Sequence, residues 1–353
     1  MISHRFLAKF FFGLILAPLL FSGPKVIWAQ TTATNSELNL ITSPLPINLV
    51  TEPGATVSAD LKIQNGGIVT EQLKVEVLKF NAYGDDGYPR LIDRQPGDSF
   101  LDWVSFSENS FELAPKQWKT ITATFSIPPD AAFGYYYAIT FSRAENIKAD
   151  GGGQTSITGA TATLILLEVR VPNAKREVEV MELSTDKKIY EFLPANFQIK
   201  LKNKGNVHLS PRGNIFIDRG NQRDVAILEI NPEKGSLLPD SNRVFSTKWA
   251  DGFPLYREKV KDGKVVLNKK NESEKVLEWD FSQTHKLRWG KFSAKMLIVY
   301  DNGERDIPIE GIVSFWVIPW RLVSAAGAII LLTIVGLWST LGKILMKLIN
   351  RKK

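Results

Sequence analysis

The chain has 353 residues, 44% of them hydrophobic and 23% charged, with 44 Lys and Arg against 37 Asp and Glu and no cysteine. The lack of a thiol excludes disulfides, thiolate metal sites, a cysteine nucleophile and palmitoylation, and an exported chain without disulfides suits a bacterial or archaeal surface. The formal charge of +7 does not mark a nucleic-acid surface: nine basic residues lie in 1–29 and 321–353, where there is no acid, and residues 30–320 carry 35 basic and 37 acidic side chains.

In chain order, His4, Arg5 and Lys9 precede an apolar run from Phe10 to Phe21, and Val26-Ile27-Trp28-Ala29 offers a cleavage stretch before Gln30. Residues 1–29 are therefore expected to be a secretory signal peptide. From Asn39 onward, short alternating runs separated by Gly, Pro, Asn and Asp predict an antiparallel β-sandwich over residues 30–172. Strands are expected at Val57 to Ile63, Gln72 to Phe80, Phe100 to Val104, Trp118 to Ile127, Gly134 to Ser142 and Thr161 to Val171, with a short strand and turn at Phe111 to Lys116. In the fourth, Ile121, Ala123, Phe125 and Ile127 share one face and Thr120, Thr122, Thr124 and Ser126 the other, so that strand is half buried.

Two loops interrupt this domain. Asn81 to Gly97 is a polar excursion in which Gly84-Asp85-Asp86-Gly87 reads as a plain turn, since it lacks the spaced oxygen ligands of a calcium loop. Arg143 to Ala160 reads as a flexible hairpin tip, and its Gly151, Gly152 and Gly153 are candidate binding positions. In the run Tyr135-Tyr136-Tyr137, Tyr135 and Tyr137 face one way and Tyr136 the other, one face core and one solvent. Tyr135 and Tyr137 are either a stacking pair for a sugar or partner, or rings whose hydroxyls reach the rim.

Pro172-Asn173-Ala174-Lys175 marks the boundary to a second sandwich over residues 173–320. Its strands are expected at Glu177 to Leu183, Asn196 to Asn203, Gly213 to Asp218, Asp224 to Ile230, Arg243 to Trp249, Lys291 to Tyr300 and Ile309 to Val317, with a tight turn at Asn203-Lys204-Gly205-Asn206. Residues 257–291 form an insertion with ten Lys and Arg, six Asp and Glu, and a hairpin turn at Lys261-Asp262-Gly263-Lys264. Such mixed charge is either a solvated surface or a contact for wall polymers or lipid headgroups. Leu322 to Leu341 then gives twenty uncharged residues, enough for a bilayer core of about 30 Å. Residues 321–341 are read as a transmembrane helix and 342–353, with Lys343, Lys347, Arg351, Lys352 and Lys353, as a cytoplasmic tail, which gives a single-pass type I protein of the cell membrane.

Chemistry is hard to find in this pattern. His208 and His285 are the only histidines after the signal and lack zinc spacing, and no nucleophile elbow, P-loop or dinucleotide fingerprint occurs. Ser184-Thr185-Asp186-Lys187 matches SxxK without the partner motifs of a serine acyl-enzyme. No catalytic residue, cofactor or metal site is assigned.

The stretch Ile127-Pro128-Pro129-Asp130-Ala131-Ala132-Phe133-Gly134-Tyr135-Tyr136-Tyr137-Ala138-Ile139-Thr140-Phe141 resembles a proline, glycine and aromatic strand of the bacterial WxL-interacting surface proteins. Asn203 to His208 with Gly213, Leu238-Pro239 with Arg243, and Phe315-Trp316-Val317-Ile318-Pro319-Trp320 are similar to their membrane-proximal parts. The resemblance implies two tandem immunoglobulin-like domains on one C-terminal helix, the outer associated with peptidoglycan and the inner with partner proteins. The expected role is a non-catalytic tether for cell-wall polymer or surface proteins. The alternative is a membrane-tethered chaperone, because paired immunoglobulin-like domains also resemble pilus chaperones that lend a strand to their clients.

Overall fold

The computed structural model describes residues 37–144 and 159–350. The signal peptide, the Gly151, Gly152 and Gly153 tip and the last three basic residues lie outside the described residues. The first sandwich contains β1 (Leu40–Ser43), β2 (Ile47–Thr51), β3 (Thr56–Asn65), β4 (Glu71–Tyr83), β5 (Tyr88–Ile92), β6 (Val104–Phe106), β7 (Ser110–Leu113), β8 (Trp118–Ser126), β9 (Phe133–Arg143) and β10 (Ala160–Val169). One sheet runs β1-β3-β8-β6 and the other β2-β10-β9-β4-β5, with β7 also on β4. This is the immunoglobulin order, with the first strand divided between the sheets. Pro44 and Pro46 make the division: neither has an N–H to give a ladder, so the chain leaves β3 after Ser43 and joins β10 in parallel from Ile47.

The alternation read in β8 is observed. Ile121, Ala123 and Phe125 are fully buried among Leu61, Ile139 and Leu167. Phe100 to Val104 is not a strand: Ser99–Trp103 is a 3-10 turn and β6 begins only at Val104. The turn sends Leu101 into the core and sets Phe100 and Trp103, three residues apart, against the tyrosines of β9. Asn81 to Gly97 is an ordered hairpin more than an excursion, because β4 runs to Tyr83 and β5 returns from Tyr88 around the left-handed Gly84 and Gly87.

The second sandwich contains β11 (Val178–Thr185), β12 (Ile189–Tyr190), β13 (Ala195–Asn203), β14 (Arg212–Arg219), β15 (Gln222–Ile230) and β16 (Asn242–Trp249). An insertion follows with β17 (Leu255–Glu258), β18 (Val260–Lys261), β19 (Lys264–Val265) and β20 (Lys275–Glu278), then β21 (Gly290–Asp301) and β22 (Asp306–Val317). The sheets are β11-β13-β16 and β12-β22-β21-β14-β15. Again the first strand is divided, β11 on β13 and β12 parallel on β22. Trp249, Phe292, Phe315 and Phe197 form the centre of the core, with Trp249 and Phe292 edge-to-face at 5.1 Å. The predicted insertion turn is present, Lys261 pairing with Lys264 across Asp262-Gly263.

Gly213 on β14 is needed because of close backbone approach: a Cβ there would lie 2.0 Å from the Leu297 carbonyl oxygen of β21. Gly213→Ala must push two central strands apart, and overpacking of this kind is expected to cost about 2 kcal/mol in a denaturant titration. An unchanged midpoint would mean the strands separate without loss.

Both sandwiches hold the same buried clasp. Asn65, at the end of β3, donates from Nδ2 to Val69 O (2.7 Å) and Leu113 O (3.0 Å) and accepts from Gly67 N (2.9 Å). Asn203, at the end of β13, donates to Val207 O (2.8 Å) and Leu237 O (2.9 Å) and accepts from Gly205 N (2.8 Å). The last element is α1 (Trp320–Asn350), in which Trp320–Lys343 is long and apolar enough to cross a membrane.

Candidate functional site: the cleft between the sandwiches

β10 reads Leu164-Ile165-Leu166-Leu167, a continuous apolar run of the kind that is buried on both faces. Ile165 and Leu167 enter the first core, while Leu164 and Leu166 join Phe80, Ala82, Tyr136 and Ala138 on the opposite face of the sheet. Leu238 of the second sandwich packs onto that outer face.

Beside this packing, two polar or ring contacts join the sandwiches among the described residues. At one, the β4–β5 turn reaches the second sandwich: the Asp85 carboxylate pairs with Lys200 on β13 at 2.5 Å, and its carbonyl accepts from Val244 N on the edge strand β16 at 2.6 Å. Asp85 is therefore the acceptor of an ion pair, consistent with the plain-turn reading. At the other, the rings of Tyr136 and His208 meet edge-to-face at 5.8 Å, beside the ion pair of Glu168 and Arg176. Burial pushes the Tyr136 hydroxyl up and holds His208 down at about 4, with Arg176 adding to the second effect.

Between these contacts lies a cleft of about 750 Å³. Its first wall is Leu45 and Pro46 at the crossover, Phe80 and Ala82 on β4, Leu91 on β5, and Ala162, Leu164 and Leu166 on β10; its second is Leu238, Ser241, Asn242 and Arg243. Arg243 stands over the Phe245 ring at 5.2 Å and donates from Nη1 to Ser236 O at 2.8 Å. Among the described residues no carboxylate forms a salt bridge with it. Burial lowers its pKa, and the charge of Glu233, which also lines the cleft, acts in the opposite sense. Glycines make its room: a Cβ on Gly87 would lie 2.6 Å from its Nε, and one on Gly235 2.5 Å from its Nη2. Asn242 Oδ1, also in the wall, is buried without a hydrogen-bond partner among the described residues.

The strand that borders the cleft is incompletely paired. β10 pairs with β9 along its whole length, whereas β2 covers its other edge only from Ile165 to Val169. Over Ala160 to Leu164 that edge carries no described ladder. Among the described residues the cleft therefore combines a strand edge without a ladder, apolar side chains, an acceptor without a donor, and the opposite charges of Arg243 and Glu233.

The candidate tyrosines are placed differently from expectation. Tyr137 is 0% exposed and donates its hydroxyl to Phe100 O at 3.1 Å, and Tyr135 is half buried against Trp103 at 4.7 Å. Their face is the core, and Tyr137 is enclosed in it while Tyr135 keeps part of its surface open. The other face, carrying Tyr136, is covered by the second sandwich instead of solvent. Arg243, Asn242 and Leu164 were not singled out as site residues in the sequence; the uninterrupted apolar run of β10 was the available signal that its outer face has a cover.

No known family profile matches the chain, and no curated protein matches it in sequence. Its fold is similar to that of the class 5 fimbriae chaperone CfaA, with TM-score 0.36 and 12% identity over 78% of this chain and 98% of that one. It is also similar to a chain of the chaperone and tip-adhesin complex of CFA/I fimbriae (TM-score 0.33, 17% identity, 62% and 92% covered). A third likeness is to the CupB2 chaperone of Pseudomonas aeruginosa (TM-score 0.32, 9% identity, 78% and 100% covered). Superpositions this partial leave the site to be read from the chain's own geometry.

Proposed function

We propose that the chain is a membrane-anchored, non-catalytic holder of other surface proteins, in which the cleft takes an extended segment of a client as an added strand. The observation that carries this reading is the edge of β10 from Ala160 to Leu164, which carries no ladder among the described residues and borders the apolar wall of the cleft. Strand addition supplies affinity through backbone hydrogen bonds, and pockets for alternate side chains supply selectivity. Leu164, Leu166, Phe80 and Leu238 would receive apolar side chains, and Asn242 Oδ1 a client N–H. In this reading α1 spans the membrane and the sandwiches stand outside it.

The reading corresponds to the chaperone alternative more than to a tether for cell-wall polymer. A polyol chain needs hydrogen-bonding groups on both sides and open ring platforms, whereas here one wall is Leu, Ala, Pro and Phe and the polar groups stand on the other. The resemblance to WxL-interacting proteins fits a surface protein as the client.

The test is binding of a displayed library of extended peptides to the full chain in lipid nanodiscs. Peptides with alternating apolar residues should be selected, and Leu164→Arg should weaken them at least about tenfold, roughly 1.4 kcal/mol. Ala162→Arg, on the same wall, should act alike without altering the unfolding midpoint. Selection of no such peptide, or binding indifferent to both substitutions, would remove the proposal.

A further inference from the structure

We propose that the charged insertion between β16 and β21 lies on the outer surface of the same bilayer that α1 crosses, seated in the headgroup zone by Trp279, Phe281 and Trp289. The inference rests on the membrane-spanning reading of α1 given above.

Three aromatic rings stand out from a segment otherwise dominated by charge. Phe281 is 70% exposed, Trp289 59% and Trp279 42%. Phe281 and Trp279 stack with centroids 6.1 Å apart at 25°, and Trp279 rests edge-on against the buried Phe253 and Phe192. Trp279 and Phe281 are thus a stacked pair on a buried base, while Trp289 carries the Arg219 guanidinium over its ring at 5.2 Å. An exposed apolar group of this extent, on a base that holds it fixed, marks a contact surface.

The surface is level with the start of α1. Gly290 pairs with Val317, so Trp289 lies beside Ile318, two residues before the helix begins. On the Trp279 side the link is Glu191, next to Phe192: its Oε2 accepts from the Tyr256 hydroxyl of β17 at 3.0 Å, and its Oε1 is 3.3 Å from Arg321 Nε in the first turn of α1. Trp279 and Phe281 are therefore linked through Phe192 and its neighbour Glu191 to the first turn of α1, and Trp289 through the β21–β22 ladder. Trp320, the first residue of α1, is itself 55% exposed.

This location decides the occupant. A protein partner would have to reach these rings inside the headgroup layer, whereas indole and phenyl rings partition there unaided. The net charge of +4 over residues 257–291 adds attraction for anionic headgroups. Contact at these rings and at the helix together would fix the tilt of the second sandwich, and with it the direction in which the cleft opens.

The absence of cysteine permits single labels. The full chain would be reconstituted in phosphatidylcholine vesicles with a minority of phosphatidylglycerol, carrying an environment-sensitive probe at Phe281→Cys, at Leu332→Cys within α1, or at Ile68→Cys in the first sandwich. Lipids bearing quenchers at shallow or deep positions then report depth. The expected result is loss of most emission at 281 to the shallow quencher, at 332 to the deep quencher, and at 68 to neither. The Trp279→Asp variant should lower quenching at 281 and leave 332 unchanged. Deep quenching at 332 with none at 281 would overturn the insertion's contact and leave the span intact. No quenching at 332 would overturn both.

Discussion

Replacing Asn203 with alanine is expected to destabilise the second sandwich by about 3 kcal/mol, because Val207 O and Gly205 N lose the amide together, Leu237 O keeps only the Leu209 N–H, and each buried group left unpaired costs about 1–3 kcal/mol. The side chain is 0% exposed, and water cannot substitute without opening the turn. The bonds tie three separate segments: the turn at Gly205 and Val207, Leu237 in the β15–β16 connection, and, through its own backbone N–H to Ser241 O at 3.1 Å, the entry to β16. Asn203→Asp should be worse, since it retains only the acceptor and buries a charge. The measurement is hydrogen exchange of β13 and β16 in the full chain, alongside the denaturant midpoint. Asn65→Ala should produce the same loss in β3 and β8 and leave β13 protected. A change of a few tenths of a kcal/mol would show that the backbone closes the turn without the amide.

The second large effect is acid lability at the contact between the sandwiches. His208 is buried against Tyr136 and near Arg176, whose charge is paired with Glu168, and its pKa lies near 4 where an exposed histidine titrates near 6.5. Between those values the unfolded chain binds the proton and the folded chain does not. Stability is thus fully present above about pH 6.5 and falls as pH drops towards 4, by about 3 kcal/mol for a shift of this size. Carboxylates held low by ion pairs, such as Asp98 by the Lys79 hydrogen bond, lose their contribution at lower pH, below this window. His208 Nδ1 has no hydrogen-bond partner among the described residues, so His208→Phe retains the edge-to-face ring contact and sacrifices no observed bond at that nitrogen. The variant should match the parent at pH 7.5 and outlast it at pH 4.5 in thermal unfolding. If parent and variant lose stability in parallel between these pH values, the histidine is not the titrating group.

The strands were legible because burial alternates with a period of two: Ile121, Ala123 and Phe125 on β8 and Phe197, Ile199 and Leu201 on β13 are all fully buried. The Asp262-Gly263 turn and the apolar length of α1 were legible for equally local reasons. β1 and β2 were harder, since each has at most five residues and prolines separate them. The paired clasp was present as Asn-x-Gly-x-Val at 65–69 and 203–207, and a comparison of the chain with itself would have found it. The candidate site was hardly legible at all.

By itself the sequence determined a chain of short strands in two series, free of disulfides, nearly neutral between basic ends and followed by one apolar helix. These follow from side-chain chemistry read over a few neighbouring positions. Tertiary structure alone decided that the tyrosine face with Tyr137 is core, that a second sandwich covers Tyr136, and that β2 stops short along β10. The physical reason is separation along the chain: Asp85 meets Lys200 from 115 residues away, and periodicity reports that a face is covered without reporting what covers it.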